Sequence, residues 1–167
     1  MSIENEDDLL LERQLCFALS VASRSVIAAY RPVLAELNLT HPQYLVMLAL
    51  WERSPMSVRA IGDALAMDSA TLSPMLKRLE AIGLLTRTRV PGNERALAVG
   101  LTDDGAALRE RALAVPITMM ERLDLTREQV DALNEAMHRI IRATGTTLVS
   151  ATNSTMTPAG SMSRRQP

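Results

Sequence analysis

Ser57-Val58-Arg59-Ala60-Ile61-Gly62-Asp63-Ala64-Leu65, followed after Ala66-Met67 by Asp68-Ser69-Ala70-Thr71-Leu72-Ser73-Pro74-Met75-Leu76-Lys77-Arg78-Leu79-Glu80, is the stretch whose reading decides the fold. Its first part predicts a short helix, with Ser57 as N-cap and with Val58, Ile61 and Leu65 spaced for one buried face. Ala66-Met67 leave room only for a tight connection. Asp68 then caps a second helix expected over residues 69–82, in which Leu72, Met75, Leu76, Leu79 and Ile82 recur at helical spacing. Gly83 ends it. Residues 84–90 and 96–101 read as strands, and Pro91-Gly92-Asn93-Glu94-Arg95 carries turn chemistry between them. Two short helices and a hairpin in this order predict a winged helix-turn-helix, a unit that reads double-stranded DNA.

The face of the second helix opposite its apolar stripe carries Ser69, Thr71, Ser73, Lys77 and Arg78. Short hydroxyl side chains let a helix N-terminus approach base edges in the major groove, and the cations further along suit phosphates. Arg87, Arg89 and Arg95 would line or tip the wing. A helix pair with a hairpin is common and a polar helix face is usually only solvated, so charge has to decide between the two readings. Residues 53–100 carry a net charge of +3, against −4 for residues 1–52 and zero for residues 101–167. A basic island in an otherwise acidic or neutral chain is the footprint of a phosphate-binding module. Pro74 lies inside the second helix, where it removes a backbone donor and is expected to kink the helix locally.

Around this unit the chain is rich in leucine, alanine and methionine and has only four aromatic residues, a composition that favours helices over sheets. The expected class is mainly α with a small β-hairpin wing. Residues 9–37 form a long helical pattern interrupted near Pro32, and residues 42–52 another, with Leu45, Leu48 and Trp51 available for burial. Thr102 caps a segment running to about Leu123, with Pro116 as a kink or break. Thr126 and Gln129 make a capping-box pair for a last helix reaching about Leu148, its stripe formed by Val130, Leu133, Met137, Ile140 and Ile141.

These terminal helices have more apolar surface than a winged helix of about 45 residues can cover, so a second copy of the chain is the natural cover and a two-fold homodimer is expected. Two recognition helices then imply an inverted-repeat operator. The expected organisation is a flexible start over residues 1–8 and one domain over 9–149. Within it lie a DNA-binding core at about 53–101 and dimerisation helices at about 9–37 and 102–148, and a flexible tail follows over 150–167. No apolar run approaches the roughly 20 residues that span a bilayer, and the acidic start lacks the basic opening of a signal peptide. The expectation is a soluble cytoplasmic protein with no membrane partner.

Enzyme chemistry finds little support, because there is no Gly-rich phosphate loop, no carboxylate cluster with a histidine and no nucleophile elbow. A thiol peroxidase is the one enzymatic form left to consider. One cysteine, with only His41 and His138 beside it, supplies no metal set, and no cofactor is expected. Cys16 is thus either core filling or a reactive thiol, and a single cysteine on an apolar helical stretch is ordinarily inert.

Its surroundings shift that balance. Leu15-Cys16-Phe17-Ala18-Leu19, Ala29-Tyr30-Arg31-Pro32, Pro42-Gln43-Tyr44-Leu45-Val46-Met47 and Leu50-Trp51-Glu52 closely resemble the N-terminal part of the organic hydroperoxide resistance regulators, the OhrR branch of the MarR family. The resemblance continues through Asp68-Ser69-Ala70-Thr71-Leu72-Ser73-Pro74, Lys77-Arg78-Leu79-Glu80, Asn93-Glu94-Arg95 and Leu101-Thr102, and so covers about residues 9–115. It implies a dimeric repressor whose cysteine is oxidised by organic hydroperoxide, after which the operator is released. The one-cysteine members, which this chain matches, pass from sulfenic acid to a mixed disulfide with a small cellular thiol or to another oxidised form.

In that family tyrosine hydroxyls hold the cysteine. Tyr30 corresponds to one of them, but the other two positions are Ser20 and His41 here, and Tyr44 matches a different tyrosine of the motif. The aspartate that fixes the wing arginine is replaced by Asn93, two residues before Arg95, which removes a charge from that pairing. Geometry adds an independent point. Cys16 and Tyr30 are 14 residues apart, so on one helix they lie roughly 20 Å from each other, and Tyr30 can touch only the other chain's cysteine. Ser20 is one turn from Cys16, as is Arg13 on the other side, and either a solvated or a thiolate-supporting role is open to Arg13. A helix begun at Asp7 or Asp8 would start too far upstream for its dipole to assist. The competing reading is a MarR-type regulator that takes a small organic ligand, such as a phenolic compound, with Cys16 a spectator.

Overall fold

The computed structural model of the protein describes residues 6–90 and 93–145. Two single 3-10 turns, Glu6–Leu9 and Leu11–Arg13, lead into α1 (Leu15–Ala35) and α2 (His41–Glu52), and a two-residue strand β1 (Met56–Ser57) leads into α3 (Val58–Leu65) and α4 (Ser69–Ala81). The hairpin β2 (Leu85–Val90) and β3 (Asn93–Leu101) follows, and α5 (Asp103–Ala112), α6 (Ala114–Leu123) and α7 (Arg127–Ala143) complete the described chain. The described chain is mostly helical, with a three-stranded antiparallel sheet in the order β1-β3-β2.

The helix-turn-helix forms as its sequence dictates. Ser57 Oγ accepts from the Ala60 N–H at 3.0 Å, and Asp68 Oδ1 accepts from the Thr71 N–H at 2.7 Å. Between them Ala66 takes a left-handed conformation (φ 50°), and the Met67 N–H donates to the Gly62 carbonyl at 2.9 Å. A Cβ on Gly62 would sit 2.8 Å from the Met67 carbonyl oxygen, so the tightness of the turn depends on this glycine. Ile61, Leu72, Leu76 and Leu79 are buried, and Val58, Leu65 and Met75 pack partly covered against them. Ile82 lies just past α4 and is exposed, because the stripe ends one turn earlier than its spacing implies.

α2 runs through the middle of the core. It buries Gln43, Tyr44, Val46, Met47 and Leu50, whereas Leu48 faces outward and Leu45 and Trp51 are half-buried. A helix enclosed on several sides buries more than one stripe, so the expected Leu45–Leu48–Trp51 face is not its main one. Thr40 and Gln43 hold its start, the Gln43 side chain accepting from the Thr40 N–H at 2.8 Å.

The helices differ from the expected bounds for identifiable reasons. α1 starts at Leu15 and not near Leu9, because the Gln14 side chain donates to the carbonyls of Asp8 and Leu10 and Arg13 faces Asp7 and Asp8 at 3.9 and 3.7 Å. Local side-chain bonds of this kind compete with helical ones. Pro32 does not interrupt α1: both it and Ala28, whose carbonyl loses its donor, are exposed, so water can satisfy the freed group. The break expected near Pro116 falls at Leu113, which places Pro116 in the first turn of α6, where a missing N–H costs nothing.

β3 extends back to Asn93, which pairs with Val90 after a bulge at Arg89/Val90, so Asn93 to Arg95 are strand backbone and not turn. β1 was invisible to periodicity, being only two residues long; Met56 pairs with Val99 and Ser57 with Ala98. Pro91, Gly92 and the expected tail over 150–167 lie outside the described residues.

The head and the helical arms meet at α5. Thr102 Oγ1 accepts from the Gly105 N–H at 3.0 Å, and the Trp51 indole N–H donates to the Gly105 carbonyl at 2.8 Å. At the far end α7, held by the Thr126–Gln129 capping box, buries none of its residues; its Leu133 is half-exposed. The N-terminal half of α1 is likewise open, with Leu15, Phe17 and Val21 exposed, and Ile27 is exposed just beyond it.

Candidate DNA interface and thiol site

α4 presents Ser69, Thr71, Lys77 and Arg78 to solvent and keeps Ser73 half-exposed. Two of the hydroxyls are already engaged locally. The Thr71 hydroxyl donates to Asp68 Oδ2 at 3.1 Å, and the Ser73 hydroxyl donates back to the Ser69 carbonyl at 2.7 Å. Hydrogen bonds from Thr71, backbone first and hydroxyl second, hold the Asp68 carboxyl below its ordinary range, so the cap stays ionised at the helix's positive end. Ala70 and Pro74 are exposed on the same outward face. α4 is continuous through Pro74, where a local kink is expected from the missing donor.

A cleft of about 780 Å³ runs between α3, the start of α4 and the sheet, with Arg59, Ser69, Ser73 and Arg87 among its walls. Arg59 lies 3.8 Å from Asp63 on the same helix, a solvated pair. Along β2, alternate side chains share a face: Leu85 is buried, Arg87 is partly covered, and Arg89 is exposed. Arg87 lies on the wing strand, as expected, but its side chain is already engaged. Its Nε donates to Glu80 Oε2 on α4 at 2.8 Å. Arg89 remains open, and the Arg95 side chain lies outside the described part of the structure.

The residues singled out around the thiol separate into two groups. Cys16 is exposed and is the second residue of α1, with Ser20 exposed one turn on. The later start of α1 therefore places the sulfur in the first turn, within reach of the helix's positive end, which a start at Asp7 or Asp8 would have denied it. Arg13 is occupied by Asp7 and Asp8.

Tyr30 and His41 come together at the other end of α1, ring centroids 5.5 Å apart and edge to face. Tyr44 lies 6.2 Å from Tyr30 and 6.3 Å from Trp51, making a four-ring array. Burial pushes Tyr30 and Tyr44 above the ordinary phenol value and His41 below the ordinary imidazole value, so all three favour their neutral forms near neutral pH. Among the described residues no group of three His, Cys, Asp or Glu side chains could hold a metal, and no helix is long and apolar enough to cross a membrane.

Fold, charge and exposed recognition helix together define a winged helix-turn-helix DNA-binding protein. Residues 39–97 match the MarR family model. The chain is 42% identical over 140 residues to the organic hydroperoxide resistance transcriptional regulator of Bacillus subtilis, covering 83% of this chain and 95% of that one. It is 35% identical over 134 residues to the regulator MgrA of Staphylococcus aureus, covering 80% and 91%. It also resembles a structure of reduced AbfR bound to DNA, with a TM-score of 0.70, 32% identity, and coverage of 83% of this chain and 97% of that one. The protein belongs to the MarR family of DNA-binding transcriptional regulators. Fold and relatives alike are those of regulators and not of enzymes.

Proposed function

We propose that the protein is a cytoplasmic operator-binding repressor that senses organic hydroperoxides through oxidation of Cys16. The observation that carries this reading is the placement of the chain's one cysteine: exposed, in the first turn of α1, in a chain 42% identical to a hydroperoxide resistance regulator. The thiolate sulfur attacks the distal oxygen of the hydroperoxide and the O–O bond breaks. The sulfur becomes a sulfenic acid, and the other oxygen leaves, with a proton, as the alcohol. With no second cysteine in the chain, a low-molecular-weight thiol then condenses with the sulfenic acid, giving a mixed disulfide and water.

The uncovered stripes of α7 and the first half of α1 support a two-fold homodimer. In it Tyr30 and His41 of one chain are candidates to flank the other chain's Cys16, with Ser20 acting from its own chain. Two copies of α4 would read an inverted repeat with half-sites about one helical turn of DNA apart or a multiple of it. Ser69, Thr71 and Ser73 lie at the groove-facing end, Lys77, Arg78 and Arg89 suit phosphates, and Arg95 belongs to the wing.

The sensing reading is tested by following operator occupancy and Cys16 oxidation together during a hydroperoxide titration, with mass spectrometry for the sulfur. Release in step with oxidation is expected. A protein that stays bound with Cys16 fully oxidised would transfer the signal to a small organic ligand. The DNA-facing surface has its own check. Lys77→Ala or Arg78→Ala should weaken binding to all duplexes and flatten the slope of log affinity against log salt by about 0.9 for each phosphate no longer neutralised. A slope equal to the wild type's would return these residues to the solvated surface.

A further inference from the structure

The tie between Glu80 and Arg87 is a feature that neither the thiol nor the DNA-facing cations explain. Glu80 stands in the last turn of α4, where the negative end of the helix disfavours a carboxylate. Arg87 stands on β2, which is an edge strand because the sheet order is β1-β3-β2. Both Nε and Nη2 of Arg87 donate to Glu80 Oε2, the former at 2.8 Å, while Glu80 Oε1 accepts from the Arg87 backbone N–H at 3.2 Å. One carboxylate therefore covers an edge N–H of the wing and holds its first arginine. The side chains are 37% and 22% exposed, so the pair is only partly screened by water.

We propose that Glu80 is a specificity-determining positioning residue: it withholds Arg87 from phosphates and uses it to lock the wing against the recognition helix. Three bonds from one residue fix β2 relative to the axis of α4, so the wing and the helix meet the duplex in one register. Without Glu80, Arg87 becomes a loose cation one strand-repeat from Arg89, able to reach phosphate on any sequence. The helix and wing then lose their common register. Tight binding to the proper site falls while binding to any duplex holds or rises.

The inference rests on α4 and the wing facing DNA, so the experiment carries a control for that reading. A site duplex is selected from a random library by the reduced wild-type protein, and a scrambled duplex of the same composition serves as the reference. For Glu80→Gln the site-to-scrambled affinity ratio is expected to fall roughly tenfold, the size typical of coupled pairs. Binding to the scrambled duplex should keep its strength or gain, with a salt slope steeper by up to about 0.9. Arg87→Ala should lower the ratio without steepening the slope, and adding Glu80→Gln to it should change nothing more.

If Glu80→Gln does not melt cooperatively, Arg87→Lys decides in its place, since it keeps the charge but loses the fork and should lower the ratio too. Equal loss on both duplexes, or no change in the ratio, overturns the proposal. Lys77→Ala separates the two levels. A changed salt slope there with an unchanged ratio in Glu80→Gln sinks only the role of Glu80, and an unchanged slope there sinks the DNA-facing reading itself.

Discussion

Cys16→Ser should hold its operator through a dose of organic hydroperoxide that strips the wild type from it. Serine is close to cysteine in size, and at an exposed site in the first turn of α1 it displaces nothing from the core. The proposed DNA-reading surface on α4 and the wing lies elsewhere in the fold, so the variant should match the wild type in its reduced affinity. A hydroxyl cannot form a sulfenic acid, and the reaction stops before its first step. For the wild type the expected loss of affinity on oxidation is on the order of 10- to 100-fold, the range of ordinary coupling between two sites. Fluorescence anisotropy of a labelled operator, read before and after a stoichiometric dose, measures both proteins in one experiment. A variant released as readily as the wild type would remove Cys16 from the mechanism.

The second large effect is on stability. A Cβ on Gly105 would lie 1.9 Å from the Leu84 carbonyl oxygen and 2.9 Å from its carbon, and both are backbone atoms that cannot step aside. The start of α5 would have to lift away from the connection between α4 and β2. That movement breaks the Thr102–Leu84 backbone bond and the Trp51 indole bond to the Gly105 carbonyl. Gly105→Ala should cost about 3 kcal/mol or more. A melting temperature lower by on the order of 10 °C follows for a chain of this size. Gly83→Ala is the useful contrast. Gly83 has φ +81° but nothing within 4 Å of a built Cβ, so only left-handed strain of about 1 kcal/mol applies. Thermal unfolding followed by circular dichroism separates the two. Equal melting points would mean that α5 can shift without loss.

What the sequence made legible was whatever repeats along the chain or caps an end of it. Ser57, Asp68, Thr102 and Thr126 were each readable as N-caps, and each accepts the backbone N–H expected of one. α4 was readable because four of its apolar residues fall on one side. β1 was not, because two residues have no period. The start of α1 was misplaced because apolar spacing continues upstream through Leu9, Leu10 and Leu11, while Gln14 and Arg13 bind the chain into turns there. The tie of Arg87 to Glu80 was out of reach for a different reason. Periodicity shows which way a strand side chain points but not which helix end lies beside it. Gly62 and Gly105 looked like ordinary small residues for the same cause, since a close approach is a property of two segments and only one is visible at a time. His41 was legible only as a departure from a family pattern, whereas Ser20 was also legible from its spacing, one turn from Cys16.

Trp51 is the chain's only tryptophan, and its indole N–H is bonded to the carbonyl of Gly105 at the place where α2 meets α5. The protein thus carries a built-in optical gauge where α2 meets α5. Any motion that opens that joint frees the indole to water and moves its emission, so a rearrangement there in response to the proposed oxidation of Cys16 can be timed without a dye.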